Sequence, residues 1–396
     1  MFRIQKLNNI SKRGLELLPS DKYECASKIL APDAILVRSA KMHEMEFKTS
    51  LKAIARAGAG VNNIPIEKCS EGGIIVFNTP GANANGVKEL VLMSLFLSSR
   101  MVYQGIIWAR GLSDKGDAIQ KLIENGKKDY AGPEIKGKRL GIIGLGAIGV
   151  MVANDAIALG MKVTGYDPYI SVDSAWALSG SVKKSKSLDT LITDSDYISL
   201  HLPLNADTKG FMNKDKFSIM KKGVRILNFA RGGLVNNDDL IEAIEKGIIV
   251  CYVTDFPDEK LIGLDNVIPI PHLGASTPES EENCAVMAVN QLRDFLENGN
   301  ITNSVNFPDC YLEKSGERRL LIANKNIPNI IGQFTHILAE NDTNIANMLN
   351  KSKGDYAMNI IDIDGDIDKK TIAALKNIKD VIMVRVLEYE PHHKGI

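Results

Sequence analysis

Lys138-Arg-Leu-Gly-Ile-Ile-Gly-Leu-Gly-Ala-Ile-Gly149 is the stretch whose reading decides the fold. Leu140 to Ile143 is a short apolar run that reads as a buried parallel strand. Gly144, Gly146 and Gly149 follow at G-x-G-x-x-G spacing, and Ile148 to Leu159 then carries a helical period. In such a motif the first glycine permits a tight turn, the second lets a pyrophosphate approach the backbone, and the third lets helix and strand pack closely. The phosphates face the free N–H groups and positive dipole end of the new helix. Lys162 to Tyr166 reads as the next strand and ends in Asp167, where a carboxylate can accept hydrogen bonds from an adenosine ribose. A glycine-rich turn that merely packs is the competing reading. Strand, glycines, helix, strand and acid in that order favour dinucleotide binding over it. Asp167 would repel a 2′-phosphate and no Arg follows it directly, which favours NAD over NADP.

The chain has 396 residues, which suggests two or three domains. Lys plus Arg balance Asp plus Glu to a formal net charge of zero, so nothing argues for a nucleic-acid partner or an anionic membrane surface. Cys25, Cys69, Cys251, Cys284 and Cys310 are scattered without a C-x-x-C pair, a pattern that suits free thiols in a reducing cytosol and hints at no zinc site. Met1 to Ile10 is too polar for a signal-peptide core, and the apolar run Glu89 to Leu97 is too short to span a bilayer. These features lead us to expect a soluble, cytoplasmic protein.

Working outward towards the N-terminus, Phe2 to Ile4, Ala34 to Val37, Lys52 to Ala55 and Ile74 to Asn78 read as short strands, with helical or loop segments such as Pro65 to Glu71 between them. That alternation implies a parallel sheet with covered faces. Arg38-Ser39, Arg56-Ala-Gly-Ala-Gly-Val-Asn-Asn63 and Asn78-Thr-Pro-Gly-Ala-Asn83 follow three of those strands. Ligands of open α/β sheets bind beyond the carboxyl ends of strands, and two arginines with a run of glycine amides make an anion-binding surface there. Val87 to Ser98 reads as a long apolar helix; Gly105 to Gly132 reads as a helical excursion or an oligomer contact.

Towards the C-terminus, strands are expected at Tyr197 to Leu200, Arg225 to Phe229, Cys251 to Thr254 and Val267 to Ile270. Helices are expected at Asp238 to Lys246, with Asp238 as N-cap, and at Glu279 to Asn298. A boundary falls in Phe307 to Gly316. Beyond it, strands at Leu320 to Ala323, Ile345 to Asn350, Tyr356 to Ile363 and Val381 to Leu387 combine with helices at Ile330 to Glu340 and Lys369 to Asn377. That βαββαβ order is ferredoxin-like. The expected division is a substrate-binding lobe of residues 1–98 with 285–312, a nucleotide-binding domain of residues 99–284, and a regulatory domain of residues 318–396.

Three ionisable residues stand at the ends of successive strands of the nucleotide domain: Arg231, Glu259 and His272. Hydride transfer from a hydroxy acid needs a base for the hydroxyl proton and a cation to fix the carboxylate. His272 suits the first, its unperturbed pKa being near ~6.5. Arg231 suits the second, because its planar fork binds a carboxylate with parallel hydrogen bonds. Glu259, or Asp258 beside it, could hold the imidazole and stabilise its charged form. His201 reads as a residue lining the nicotinamide cleft; His43, His392 and His393 receive no role.

Gly144-Leu-Gly-Ala-Ile-Gly149, Asn228-Phe-Ala-Arg-Gly-Gly233, Asp255 to Glu259 and Pro271-His-Leu-Gly-Ala-Ser-Thr277 together resemble the D-isomer-specific 2-hydroxyacid dehydrogenases, and residues 318–396 resemble an ACT domain. The front motifs are similar to the branch acting on 3-phospho-D-glycerate. The resemblance implies two doubly wound lobes, flavodoxin-like for substrate and Rossmann for NAD, plus the ferredoxin-like module. It implies NAD-dependent oxidation of 3-phospho-D-glycerate to 3-phosphohydroxypyruvate, the first step of L-serine synthesis. It also implies Arg231, Glu259 and His272 as the catalytic set, with substrate contacts at Arg38, Ser39, Arg56, Gly58, Ala59, Gly60 and Asn83. Cofactor contacts are implied at Gly144, Gly146, Ala147, Ile148, Gly149, Asp167, His201, Pro203, Phe229, Ala230, Asp255 and Gly274. Asn326 and Asn344 match positions of a serine effector site, with Asn324 where the family has a His. The loop after Asp255 is one residue shorter than the family's and lacks its closing proline. A homodimer or homotetramer is implied as well. Other 2-hydroxy acids (glyoxylate, hydroxypyruvate or D-lactate chemistry) and a nucleotide-sensing regulator are the alternatives.

Overall fold

The computed structural model describes residues 1–388, so His392 and His393 lie outside the described residues. The chain forms two compact units, one of residues 83–280 and one joining residues 1–82 to the chain from Glu281 onward.

The chain opens with β1 (Phe2–Lys6), β2 (Tyr23–Ala26), β3 (Ala34–Val37), β4 (Ala53–Arg56) and β5 (Ile75–Phe77), a parallel sheet in the order β2-β1-β3-β4-β5. Alternate residues of a strand face opposite sides, and both sides here are apolar. Ile4, Leu36, Ala55 and Phe77 pack with Leu292 and Phe295 of the helix Pro278–Asn298, while Ile35, Val37, Ile54 and Val76 pack with Cys69 of the helix Ile66–Glu71. The edge strand β2, Tyr-Glu-Cys-Ala, is an addition to the expected elements; its mixed pattern carries no strand signal of its own.

The second unit holds β6 (Arg139–Ile143), β7 (Lys162–Tyr166), β8 (Lys183–Lys184), β9 (Tyr197–Leu200), β10 (Val224–Asn228), β11 (Ile249–Thr254) and β12 (Val267–Pro269), in the parallel order β12-β11-β10-β9-β6-β7-β8. The strand order reverses between β6 and β9, which is where a doubly wound sheet opens a crevice at its carboxyl edge. The helix Ala84–Ser99 packs on the helix Ala147–Ala158 and belongs to this unit, whereas the expected division set it with the first lobe. Its Ser99 hydroxyl lies 2.7 Å from the Tyr197 hydroxyl. The stretch from Gly105 to Gly132 is helical in part, with Val102–Arg110 and Ile119–Gly126 burying none of their residues. The helix Asn237–Glu245 is capped by Asn236, whose side chain accepts from the N–H groups of Asp238 and Asp239, rather than by Asp238.

The first unit resumes after residue 280. Beyond the helix Pro278–Asn298, β13 (Arg318–Lys325), β14 (Ile345–Lys353), β15 (Tyr356–Ile363) and β16 (Val381–Glu388) form an antiparallel sheet in the order β14-β15-β13-β16. The helices Ile330–Glu340 and Lys369–Asn377 complete βαββαβ. One sheet face packs under those helices through Leu320, Ile322, Ile361 and Ile363. The other face, with Leu321, Ala323, Met358 and Ile360, shares its core with Ile4, Phe77 and Phe295. Arg319, fully buried, pairs with Asp362 at 2.6 and 2.9 Å and donates to the carbonyls of Asn298, Leu312 and Glu313. Among the described residues no single helix is long and apolar enough to cross a membrane.

Candidate active site

The glycine turn after β6 is fixed by backbone contact. Gly144 has φ +94° and donates its N–H to the Tyr166 carbonyl at 2.9 Å. A Cβ on it would lie 2.6 Å from the His201 carbonyl oxygen, and one on Gly149 would lie 2.1 Å from the Gly144 oxygen. No such clash exists at Gly146, whose Cβ would meet nothing within 4 Å. The middle glycine therefore faces open space, as a turn needs if a phosphate is to approach its backbone. The helix Ala147–Ala158 begins there with no side-chain cap and no acid in its first turn, leaving Ala147, Ile148 and Gly149 to present their N–H groups. Asp167 accepts from Leu145 and Tyr169 N–H at 2.8 Å each, so its carboxylate is held at the end of β7 with lone pairs to spare. The residues present fit a dinucleotide.

His201 and Pro203 follow β9. The His201 Nε2 lies 2.9 Å from the Ser199 hydroxyl, and burial pushes its pKa down to about 4, which keeps the ring neutral at physiological pH. Asn228, buried at the end of β10, shapes the next loop: its amide donates to the Arg231 carbonyl at 2.9 Å and accepts from Ala230 N–H at 3.2 Å, with Phe229 buried between. This leaves the Arg231 side chain exposed, bonded among the described residues only to the Ala230 carbonyl at 2.6 Å.

Arg231 and His272 lie within electrostatic reach of Asp255, and neither makes a hydrogen bond or ion pair with Glu259 among the described residues. Asp255 is buried after β11; burial pushes its pKa up to about 6, against the pull of His272 and Arg231. Its Oδ1 has no hydrogen-bond partner among the described residues. A Cβ on Gly274, which follows β12, would fall 3.7 Å from Asp255 Oδ2 and 3.0 Å from Val87. The exposed His272 ring meets Phe256 edge-on at 4.6 Å between centroids. Asp258 caps Lys260 and Leu261 and accepts from Asn237 at 2.6 Å, while Glu259 is exposed with no hydrogen bond or ion pair among the described residues. Neither acid expected beside His272 is bonded to it. The shortened loop turns back on Asp258 as its own cap, and Asp255 is the acid on whose pKa His272 acts.

In the other unit, the candidate substrate residues form one connected group. Asn8, after β1, accepts from the N–H groups of Arg38, Ser39 and Ala40 at 2.9, 3.0 and 3.0 Å. Arg56 donates its Nε–H to the Arg38 carbonyl at 2.9 Å. Gly58 and Gly60 wrap its guanidinium so closely that a Cβ on either would come within 3.2 Å of Nη1. Asn78 donates to the Ala59 carbonyl at 2.6 Å, tying β5 to that loop. Arg38 Nη1 meets Glu281 at 2.6 Å. Asn8 was not foreseen, since a lone Asn after a strand reads as a turn residue. Asn83 belongs to residues 83–280 and precedes the helix Ala84–Ser99.

Asn326 and Asn344 do not meet. β13 and β14 run alongside β15 in the same sense, with Lys325 and Lys353 opposite Tyr356 and with Arg318 and Ile345 opposite Ile363. Asn326 thus follows one end of the sheet, bonded to the Gly354 carbonyl at 3.2 Å, and Asn344 precedes the other, bonded to Asp364 at 2.7 Å.

A doubly wound parallel sheet carrying this turn and acid defines a dinucleotide-binding α/β protein. Residues 105–274 match the model of the D-isomer specific 2-hydroxyacid dehydrogenase NAD binding domain. The hydroxypyruvate reductase of Thermotoga maritima is 36% identical over 72% of this chain and 92% of its own length. The D-3-phosphoglycerate dehydrogenase of Methanocaldococcus jannaschii is 35% identical over 79% of this chain, which spans 59% of that relative. The NAD+-bound 3-phosphoglycerate dehydrogenase of Entamoeba histolytica superposes with a TM-score of 0.58 at 30% identity, over 77% of this chain and 98% of its own. The chain belongs to the D-isomer-specific 2-hydroxyacid dehydrogenase family.

Proposed function

We propose that this chain uses NAD to oxidise 3-phospho-D-glycerate to 3-phosphohydroxypyruvate, the reaction that opens L-serine synthesis. The observation that carries the reading is Arg38, its backbone held by Asn8, joined to Arg56, its guanidinium wrapped by Gly58 and Gly60, because a phosphate and a carboxylate on one small molecule call for such an array. In this reading Arg38, Ser39 and Arg56 take the phosphate, and the amides of Gly58, Ala59 and Gly60 with the Arg231 fork take the carboxylate; Asn83 is a further substrate contact.

His272 accepts the hydroxyl proton as the C2 hydride leaves, so the alcohol becomes a ketone and the ring becomes imidazolium. Glu259, on its exposed loop, is the carboxylate that has to move to reach that ring, since apo geometry often lacks a contact that the substrate complex makes. Bound NAD supplies the hydride acceptor. The turn from Gly144 to Gly149 holds its phosphates, Asp167 its ribose, and His201, Pro203, Phe229, Ala230, Asp255 and Gly274 surround its nicotinamide end.

Cytoplasmic residence, a homodimer or homotetramer, and an L-serine effector belong to the same proposal. A serine held by both Asn326 and Asn344 would need two chains, since one chain keeps them at opposite sheet ends.

A panel of 2-keto acids with NADH and NADPH tests the reading. We expect 3-phosphohydroxypyruvate to be reduced fastest and with NADH, and Arg38→Ala or Arg56→Ala to raise its KM roughly tenfold or more, the loss of a charge-assisted contact. The second reading is a hydroxypyruvate reductase, favoured by the match over 92% of the Thermotoga maritima relative. Unchanged kinetics in both arginine variants would select it. NADH binding without turnover of any 2-keto acid would leave a nucleotide sensor.

A further inference from the structure

A cavity of about 450 Å3 opens within the first unit, where β16 meets the end of the first sheet at which β4 and β5 begin. Lys52 and Gly73 line it on the first-sheet side, Met383 and Arg385 on the β16 side, with Phe295 and Lys376 completing the wall. The two sides touch closely: Gly73 has φ +66°, and a Cβ on it would lie 2.8 Å from that of Met383. Small-metabolite pockets begin at about 300 Å3, so the space suits a compact ligand.

The charges around it are one-sided. Among the described residues no Asp or Glu lines the cavity, while Lys52, Lys376 and Arg385 do. Lys52 is answered by Asp33, which also meets Arg3 at 3.9 Å and is therefore already shared between cations. Arg385 has no carboxylate partner among the described residues. It donates to the carbonyls of Phe295 and Leu296 at the end of the long helix and lies over the Phe295 ring at 5.4 Å. Burial pushes its pKa down to about 10, against the pull of the Asp33 carboxylate, which acts on it without forming an ion pair. Lys376 is exposed with no hydrogen bond or ion pair among the described residues.

We propose that this cavity binds a small organic dianion, whose two charges answer Arg385 and Lys376 while its carbon body lies against Phe295 and Met383. Lys52 immediately precedes β4, and Arg56 ends it, so the occupant touches the near end of a strand whose far end presents a candidate substrate arginine. Occupancy would bind the antiparallel domain to that strand and bias how firmly Arg56 is held, whichever 2-hydroxy acid the protein turns over.

Calorimetry on the full chain with succinate, and separately with glycerol 2-phosphate, tests the proposal. We expect saturable binding of one molecule per chain in at least one arm, with the Kd weakened tenfold or more by Lys376→Glu. Lys376→Met should fall between the two proteins, and NADH turnover without the dianion should be unchanged in both variants. A response to succinate alone assigns a dicarboxylate, and one to glycerol 2-phosphate alone a phosphomonoester. No saturable heat in either arm, or equal heat in wild type and Lys376→Glu, overturns the proposal.

Discussion

The two parallel sheets obey the same topological rule with different hardware. In the seven-stranded sheet the switch point is closed by backbone: Gly144, Gly149 and the His201 carbonyl pack so tightly that no side chain fits. In the five-stranded sheet the switch point between β1 and β3 is held by one amide, Asn8, accepting from the Arg38, Ser39 and Ala40 N–H groups. A steric closure dictates glycine at fixed spacing and so leaves a motif. A side-chain pin leaves a single unremarked residue.

The sharpest way to break that contrast is at the glycines. Gly149→Ala should abolish NADH binding, followed by fluorescence, because its methyl would meet a carbonyl oxygen at 2.1 Å. Gly146→Ala, with nothing within 4 Å, should fold normally and lose affinity only through crowding of the ligand. Equal behaviour of the two would remove steric closure as the explanation.

Next in size, His272→Asn should lower kcat by roughly 10²–10⁴, the usual worth of a general base. Glu259→Gln should lower kcat about tenfold at unchanged thermal stability. If Asp255→Asn causes the larger loss instead, the resting geometry is the working one.

Asn8→Ala would then test the side-chain pin. Leaving a fully buried donor without an acceptor costs about 1–3 kcal/mol; these donors are only part-buried or exposed, so we expect a loss at or below the low end of that range in denaturant unfolding, together with a raised substrate KM. The glycine turn lies outside this effect, so NADH affinity should hold.

The smallest effects are in pH. His201, with a folded pKa near 4 against 6.5 unfolded, takes up its proton more readily when unfolded, so its contribution to stability is lost as pH falls from about 6.5 through 4. Asp255, raised to about 6 from 3.8, works the other way: its contribution is lost as pH rises from about 4 through 6. Thermal scans of His201→Gln and Asp255→Asn across that range should therefore depart from wild type at opposite ends.

Much of the architecture was legible in the chain because apolar runs such as Leu140 to Ile143 and Ala34 to Val37 are buried on both faces and bounded by turn residues. β2 was not, being a short edge strand with an exposed Glu24. The N-cap slipped from Asp238 to Asn236 because both residue types cap well and only backbone geometry chooses between them. In the site, the sequence sets Arg231 and His272 after strand ends, but which acid comes near the imidazole depends on the path of a shortened loop. Residue type cannot fix that path. Likewise, Asn326 and Asn344 are matched in type yet separated by strand direction, which only the sheet register reveals.

The guanidinium of Arg319 has a consequence for anyone trimming this chain. It reaches from β13 into the Asn298 carbonyl, beside a core that mixes Leu321 and Ile360 with Leu292 and Phe77. Cutting before β13 would strip an apolar floor from the amino-terminal half and expose it to solvent. Such a fragment should aggregate on expression, so the final eighty or so residues are part of the foundation on which the first sheet stands.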